Sequence, residues 1–472
     1  MIGTTNEGRS VRGYTMHSAT SAAPRRYKLI MGCLVLFALS LPFNGIEWNI
    51  ISIPRFELKP TMITFGVLLF ALALNSSRVK MFAAHKEKFF YSCVFFYGLA
   101  QFASLFNSTF PLESLKQGII IVSLLLVMVV TSRIASDKRA VEYALAATGV
   151  LSILISILAI IDYYFISSAV GRLGARGGKI VGTISMGGDA IYFGDILLYS
   201  VGAVFFVLFK LREKKLLKLL IAPILIFWFS AIAVSITKGL ILAVFFFLLS
   251  ATALIKGKRI FMSACVIVFL SVMILNFKII PNFKSNYFLT QIGSLSLIER
   301  LDVTSGTGFN AIAIRKKAII LSWKSSLSHF WFGWGAGTSQ KILPEIANEH
   351  DRNIDPGSHE YHAMHRDNTY GEEANKSLTD SHVFFLTEFF NVGIFGLISL
   401  VGIVVFVIVE QFKVVMRDRD GDIINVLLFL TLISMLIYRL TQSLIVIPFL
   451  WFVMGLSLGA AKFYRQREGI NR

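Results

Sequence analysis

Apolar residues in this chain come in long blocks and do not alternate with polar ones. Blocks long enough to cross a bilayer lie near residues 27–44, 61–76, 89–106, 114–132, 141–165, 190–209, 219–236, 239–255, 260–277, 383–408, 424–438 and 443–461. A crossing helix needs roughly 20 apolar residues, so the pattern predicts an all-α polytopic membrane protein with about 12 transmembrane helices. The one long interruption, residues 278–381, falls between the ninth and tenth blocks. The expected organisation is a tail over 1–26, helices 1–9 over 27–277, a large loop over 278–381, helices 10–12 over 382–461 and a second tail over 462–472. No small-x-small cleavage pattern follows the first block, which therefore reads as a retained helix and not a signal peptide. No internal repeat divides the chain.

Composition agrees: 55% of residues are apolar and 13% aromatic. The mean hydropathy is +0.68. A formal charge of +18 could suggest nucleic acid, but its placement points to topology. If the N-terminal tail is cytoplasmic, 27 of the 46 Lys and Arg residues flank the cytoplasmic ends of the blocks and only 8 lie in the short outer connections. Short loops obey the positive-inside rule and long ones are exempt, so both termini are expected in the cytoplasm and the loop outside. The charge then serves topology and attraction to anionic lipid, not nucleic acid binding. Cys33, Cys93 and Cys265 all sit inside apolar blocks, where they act as small hydrophobes and imply neither disulfides nor zinc.

Within the loop, residues 311–327 (AIAIRKKAIILSWKSSL) place Ile312, Ile319, Ile320, Trp323 and Leu327 on one helical stripe. An amphipathic helix lying on the outer membrane surface is expected. Lys316 projects from the middle of the stripe and Arg315 from its edge, whereas Lys317 and Lys324 face away. These cations either snorkel to ordinary lipid phosphates or meet a specific anionic ligand.

Further cations collect on the same predicted face. Arg172, Arg176 and Lys179 precede the sixth helix, Lys238 lies in the tight SITKG turn, and Arg315, His382 and Arg439 belong to that side. Singly, each reads as a rim residue. Together they describe a basic cavity for an anionic lipid head group or a lipid-linked pyrophosphate, which Arg and Lys neutralise as charge develops. Asp162, Asp189 and Asp195 could orient the cations or a sugar hydroxyl. His382 begins the tenth helix in TDSHVFFLTEFFNVGIFGLI. It could activate an incoming hydroxyl, or simply begin the helix with Asp380 or Ser381 as its cap. In HEYHAMH, His359 to His365, the spacing fails to put three histidines on one helix face, and no metal is expected there. GWGAGTSQ (333–340) lacks the lysine of a nucleotide loop and reads as a turn of close backbone packing.

Four segments resemble the O-antigen ligase and polymerase superfamily of bacterial inner-membrane glycosyltransferases: GRLGARGGKIVGTISMGGDAIYFGDILLYS, SITKGLILAV, RKKAIILSWKSSLSHFWFGWGAGTSQ and DSHVFFLTEFFNVGIFGLI. Their order, with the longest outer loop between helices 9 and 10, carries more than any one string. The resemblance implies a GT-C-like fold. It also implies transfer of a glycan from undecaprenyl pyrophosphate to a lipid A core hydroxyl at the periplasmic face, without a metal or other cofactor. By that resemblance Arg315 and Lys238 would stabilise the pyrophosphate and His382 would position or activate the acceptor, with Arg172, Arg176, Lys316 and Arg439 as further substrate contacts.

Two positions depart from the family pattern. Lys238 stands for the usual Arg and loses its planar fork, and Asn391 stands where many relatives have Glu. The polymerase, which uses a second lipid-linked glycan as acceptor, is the nearest rival reading. Arg176 and Gly187 make its R-x10-G spacing, but 35 glycines produce such spacings by chance and the single dominant loop leans toward the ligase. Transfer to a protein acceptor, a non-catalytic assembly scaffold, and a transporter or flippase of a lipid-linked or amphipathic anion are the other readings. Transport would place polar residues near the bilayer midplane in two related halves.

Overall fold

The computed structural model describes residues 23–45, 52–53, 56–57, 59–74, 87–161, 190–235, 237–279, 311–366, 369–376, 378, 380–417, 423–440 and 447–467. The described part of each apolar block is largely helical: α1 Ala23–Ser40, α2 Pro60–Ala73, α3 Lys88–Ala103, α4 Pro111–Ile134, α5 Lys138–Ile161, α6 Ala190–Tyr199, α7 Val201–Arg212, α8 Ile221–Ser235, α9 Lys238–Leu254, α10 Arg259–Ile279, α15 Phe384–Arg417, α16 Ile423–Arg439 and α17 Pro448–Arg467. The loop contributes α11 Ala311–Ser328, α12 Ser339–Asn353, α13 His359–Arg366 and α14 Glu372–Asn375. Two short strands, β1 Ser52–Ile53 and β2 Phe56–Glu57, pair antiparallel with Ser52 opposite Glu57.

Among the described residues, the protein is an all-α membrane protein apart from that hairpin. Five described helical stretches are long and apolar enough to cross a bilayer: Lys88–Asn107, Pro111–Ile134, Lys138–Ile161, Leu216–Ser235 and Phe384–Arg417. The bent pair Tyr192–Tyr199 and Val201–Arg212, at 42°, makes a sixth if counted as one span. This corrects the expected count of about 12. Five other apolar helices fall short; α2, for example, has 14 residues, a rise of about 21 Å against a hydrocarbon core of about 30 Å. Hydropathy registers an apolar block but not where its helix stops.

Apolar side chains cover these helices on all sides. Phe95 and Phe96 on α3, and Phe395 and Ile398 on α15, are exposed although no polar face replaces them, as suits helices whose solvent is lipid. Contacts between helices rely on small residues. Gly455 and Gly459, one turn apart on α17, lie against Met128, Thr131 and Ser132 of α4 and Ala135 just after it, so closely that a Cβ on Gly455 would come within 2.6 Å of the Met128 carbonyl oxygen. Backbones approach this way where small residues repeat every four positions. Polar links add to this: Ser200 donates to Ser152 at 2.6 Å, and Ser152 accepts from the Trp228 indole at 3.2 Å.

The loop helices form a small core of their own from Ile314, Ala318, Leu321, Ile342, Leu343 and Ala347, closed against Phe390 of α15. Lys317 faces away from the apolar stripe, and the side it occupies is buried: its ammonium donates to both oxygens of Asp351 (2.8 and 2.9 Å), to the Thr369 carbonyl (2.8 Å) and to the Asn375 side chain (2.7 Å). Asp351 also accepts from the Gly371 N–H at 2.9 Å and from Asn375 at 2.8 Å. Burial lowers the Lys317 pKa against the pull of Asp351. For Asp351, burial raises the pKa but the donors that converge on it win, holding it below the usual carboxylate range. The pair ties α11, α12 and α14 together.

Candidate functional site

The tenth block does not form one uninterrupted helix. At Gly393 the backbone leaves the helical region (φ 69°, ψ −169°) inside α15. The break deprives nearby main-chain groups of their helical partners, which inside a membrane costs several kcal/mol per group. Residues 330–335 supply replacements: Trp334 N–H donates to the Phe390 carbonyl at 2.9 Å, Gly335 N–H to the Asn391 carbonyl at 3.0 Å, and Ile394 N–H to the Phe330 carbonyl at 2.8 Å. Gly333 (φ 69°) and Gly335 (φ 113°) give the segment its shape. A Cβ at Gly333 would come within 2.5 Å of the Asn391 carbonyl, and one at Gly393 would overlap the Trp331 carbonyl. Trp334 stacks on Phe390 and Trp331 on Phe395, on either side of the break. Ala336 N–H then reaches Ser104 at 3.0 Å in the turn between α3 and α4. The GWGAG segment is thus a turn of close packing.

Just before α15, His382 adopts a left-handed conformation (φ 54°), rare for a residue with a Cβ. Asp380 holds it, accepting from the His382 N–H at 2.7 Å and lying 3.3 Å from its Nδ1. Ser381 accepts from the Val383 N–H at 3.3 Å and shares a 2.7 Å hydrogen bond with Thr387. The imidazole is about one-quarter exposed. Burial lowers its pKa, the Arg315 charge pushes the same way and Asp380 opposes, so His382 is neutral near pH 7. An Nδ1–H directed at Asp380 leaves the Nε2 lone pair to take a proton.

Arg315 thus lies within electrostatic reach of His382. Arg315 and Lys316 are both exposed on α11. Lys238 is the first residue of α9, after the N-cap Thr237; its side chain lies outside the described residues, as do Arg172, Arg176, Lys179, Asp162 and Asp189. Arg439 is not turned toward an open cavity. It is 1% exposed and pairs with Asp195, equally buried, at 2.7 Å, while its Nε and Nη1 find no acceptor among the described residues.

Sequence reasoning passed over a polar cluster beneath His382. Glu388, buried on α15, accepts from Tyr97 of α3 at 2.7 Å and from Gln101 at 3.5 Å, and Asn391 also bonds it. A lone carboxylate inside an apolar block was the available signal. On the loop unit an open groove of about 650 Å³ is lined by Lys324, Ser325, Glu349, His350 and Asp355 among others, but by neither Arg315 nor His382. In α13, His365 stacks on Tyr370 and lies tilted against Tyr361, with ring centres 4.3 Å from each. Among the described residues no three His, Cys, Asp or Glu side chains gather closely enough to hold a metal. Neither a protein-family model nor a curated protein matches the chain.

Proposed function

We propose that the protein is an O-antigen ligase-like glycosyltransferase of a bacterial inner (cytoplasmic) membrane, with both tails cytoplasmic and the loop unit periplasmic. It moves a glycan from undecaprenyl pyrophosphate to a hydroxyl of lipid A core. The observation that carries this reading is the neutral, Asp380-held His382 beside the exposed guanidinium of Arg315, at the start of a membrane helix. In this reading His382 takes the proton of the acceptor hydroxyl as its oxygen bonds to the anomeric carbon. The bond from that carbon to the pyrophosphate breaks, and Arg315 with Lys238 neutralises the departing phosphate charge. Arg172, Arg176 and Lys316 are assigned to holding the donor. Arg439 contributes through its pair with Asp195.

Polymerisation, with a second lipid-linked glycan as acceptor, uses the same chemistry and is the first alternative. A transporter or flippase is the second, favoured by the charged pair Asp195–Arg439 and by Glu388, all buried among apolar helices. One assay separates the three. The purified protein in lipid nanodiscs receives undecaprenyl-pyrophosphate-linked glycan, with lipid A core and excess donor as competing acceptors. Glycan on lipid A core supports the ligase and longer lipid-linked chains support the polymerase. Absence of both products overturns the transferase reading, and movement of donor across a vesicle membrane then favours transport.

A further inference from the structure

Among the described residues, the loop unit has an apolar face that no other part covers. On α11, the side turned away from the buried Ile314, Ala318 and Leu321 carries Ile320, Trp323 and Leu327, with Trp323 53% exposed. Trp331 is 57% exposed and continues the face through the turn that follows. The ring of Trp331 stacks on Phe395 at 5.3 Å, and Phe395 begins the exposed apolar side of α15 that runs on through Ile398 and Val405. The face on the loop is thus continuous with a surface that a membrane-crossing helix presents to lipid. The face is also basic: Lys316 projects from within the stripe and Arg315 from its edge, Lys324 is exposed on the same helix, and no acidic residue occurs between Ala311 and Ser328.

We propose that α11 and the Trp331 turn are an interfacial anchor that sits in the lipid leaflet beside α15. The apolar stripe enters the boundary between head groups and acyl chains, and Lys316 and Lys324 meet lipid phosphates. Tryptophan favours that depth because its ring is apolar and its N–H is polar. Cations bordering an apolar helix face add attraction to anionic lipid. The seat brings Arg315, and with it His382, to the height of the head-group phosphates, where a lipid-linked anion presents its charge. The anchor follows from packing and charge and does not depend on which reaction the site performs.

Tryptophan quenching in the full chain tests it. The protein is placed in nanodiscs containing lipid brominated in the upper acyl chain, and wild type is compared with Trp323→Phe and Trp331→Phe. The expected result is that each variant loses part of the bromolipid-quenched emission and little of the acrylamide-quenched emission. Loss confined to the acrylamide-quenched emission would place the two rings in water. No loss with either quencher would mean that protein, such as a second copy of the chain, covers them. Either outcome overturns the proposal. A charge reversal, Lys316→Glu with Lys324→Glu, is expected to reduce the bromolipid quenching of Trp323 in anionic but not in zwitterionic nanodiscs; an unchanged signal in anionic nanodiscs would remove lipid phosphates from the anchor.

Discussion

The N–H of Trp334 donates to the carbonyl of Phe390 at 2.9 Å, filling an acceptor that the break at Gly393 leaves open in α15. A segment from the loop is in this way stitched into the main chain of a membrane helix. The stitch depends on glycine at two places, because a Cβ at Gly393 or at Gly333 would run into the opposing backbone.

Gly393→Ala and Gly333→Ala should therefore each destabilise the protein by several kcal/mol. The positive-φ backbone alone, which at Gly393 (φ 69°, ψ −169°) lies in a region open essentially to glycine, costs about 1–3 kcal/mol for a residue with a Cβ, and the opposing chain must also shift. Gly66→Ala on α2, where a Cβ meets nothing within 4 Å, should be neutral or stabilising by up to about 1 kcal/mol. Thermal unfolding in detergent compares the three, and equal midpoints would refute the stitch as a stability element.

His382→Gln should abolish transfer while leaving the midpoint of unfolding near wild type. The acid limb of the activity profile should lie below pH 6.5, the ordinary histidine value, because burial and Arg315 both lower the His382 pKa. Removing the Arg315 charge relieves one of these pressures, so residual activity in Arg315→Gln should show its limb at higher pH. Asp380→Asn removes the opposing influence and should move the limb lower. Shifts in the opposite directions would refute the electrostatic arrangement.

The same shift makes stability depend on pH. A histidine with a depressed native pKa binds its proton more readily unfolded, so its contribution is present above the unfolded value and lost as pH falls through about 6.5 toward the native pKa. Wild type should lose stability over that window relative to His382→Gln, as read from the difference in their unfolding midpoints at pH 7.5 and pH 5.5.

Lys317→Ala should cost about 3–5 kcal/mol locally, the range for removing one partner of a buried ion pair, since Asp351 would be left buried without its cation. Lys317→Met with Asp351→Leu should recover part of that loss. Hydrogen exchange over residues 311–376 reports both, with faster exchange in the single variant and partial recovery in the double.

Arg439 offers a choice between two roles. If the pair with Asp195 is structural, Asp195→Leu with Arg439→Met should restore both folding and activity relative to Arg439→Met alone. Recovery of folding without activity would instead place Arg439 in contact with substrate.

How much of this was legible depends on whether a residue's partner is local. The apolar blocks could be read because each needs only lipid to explain it, and the stripe Ile320–Trp323–Leu327 could be read from helical spacing. His382 stood out by its type and its place before an apolar block. That Lys317 faces away from the stripe could be read from spacing, but its burial could not, because its partners, Asp351, Thr369 and Asn375, lie far along the chain and nothing near Lys317 announces them. The break at Gly393 was invisible for a related reason. FNVGIFG reads as unbroken apolar helix, and only the arrival of residues 330–335 makes the break tolerable. The number of crossings was overstated because hydropathy does not register where a short helix ends.

The close fit of α17 on α4 also bears on the order of synthesis. The glycines that seat against Met128 and Ala135 leave the ribosome more than 300 residues after them, roughly fifteen seconds to a minute later at ordinary rates of translation. Until then α4 has no permanent neighbour on that side, and lipid or an insertion chaperone must occupy the space. A nascent chain halted before Pro448 should therefore be recognised by membrane quality control as unfinished even though most of its helices are already inserted.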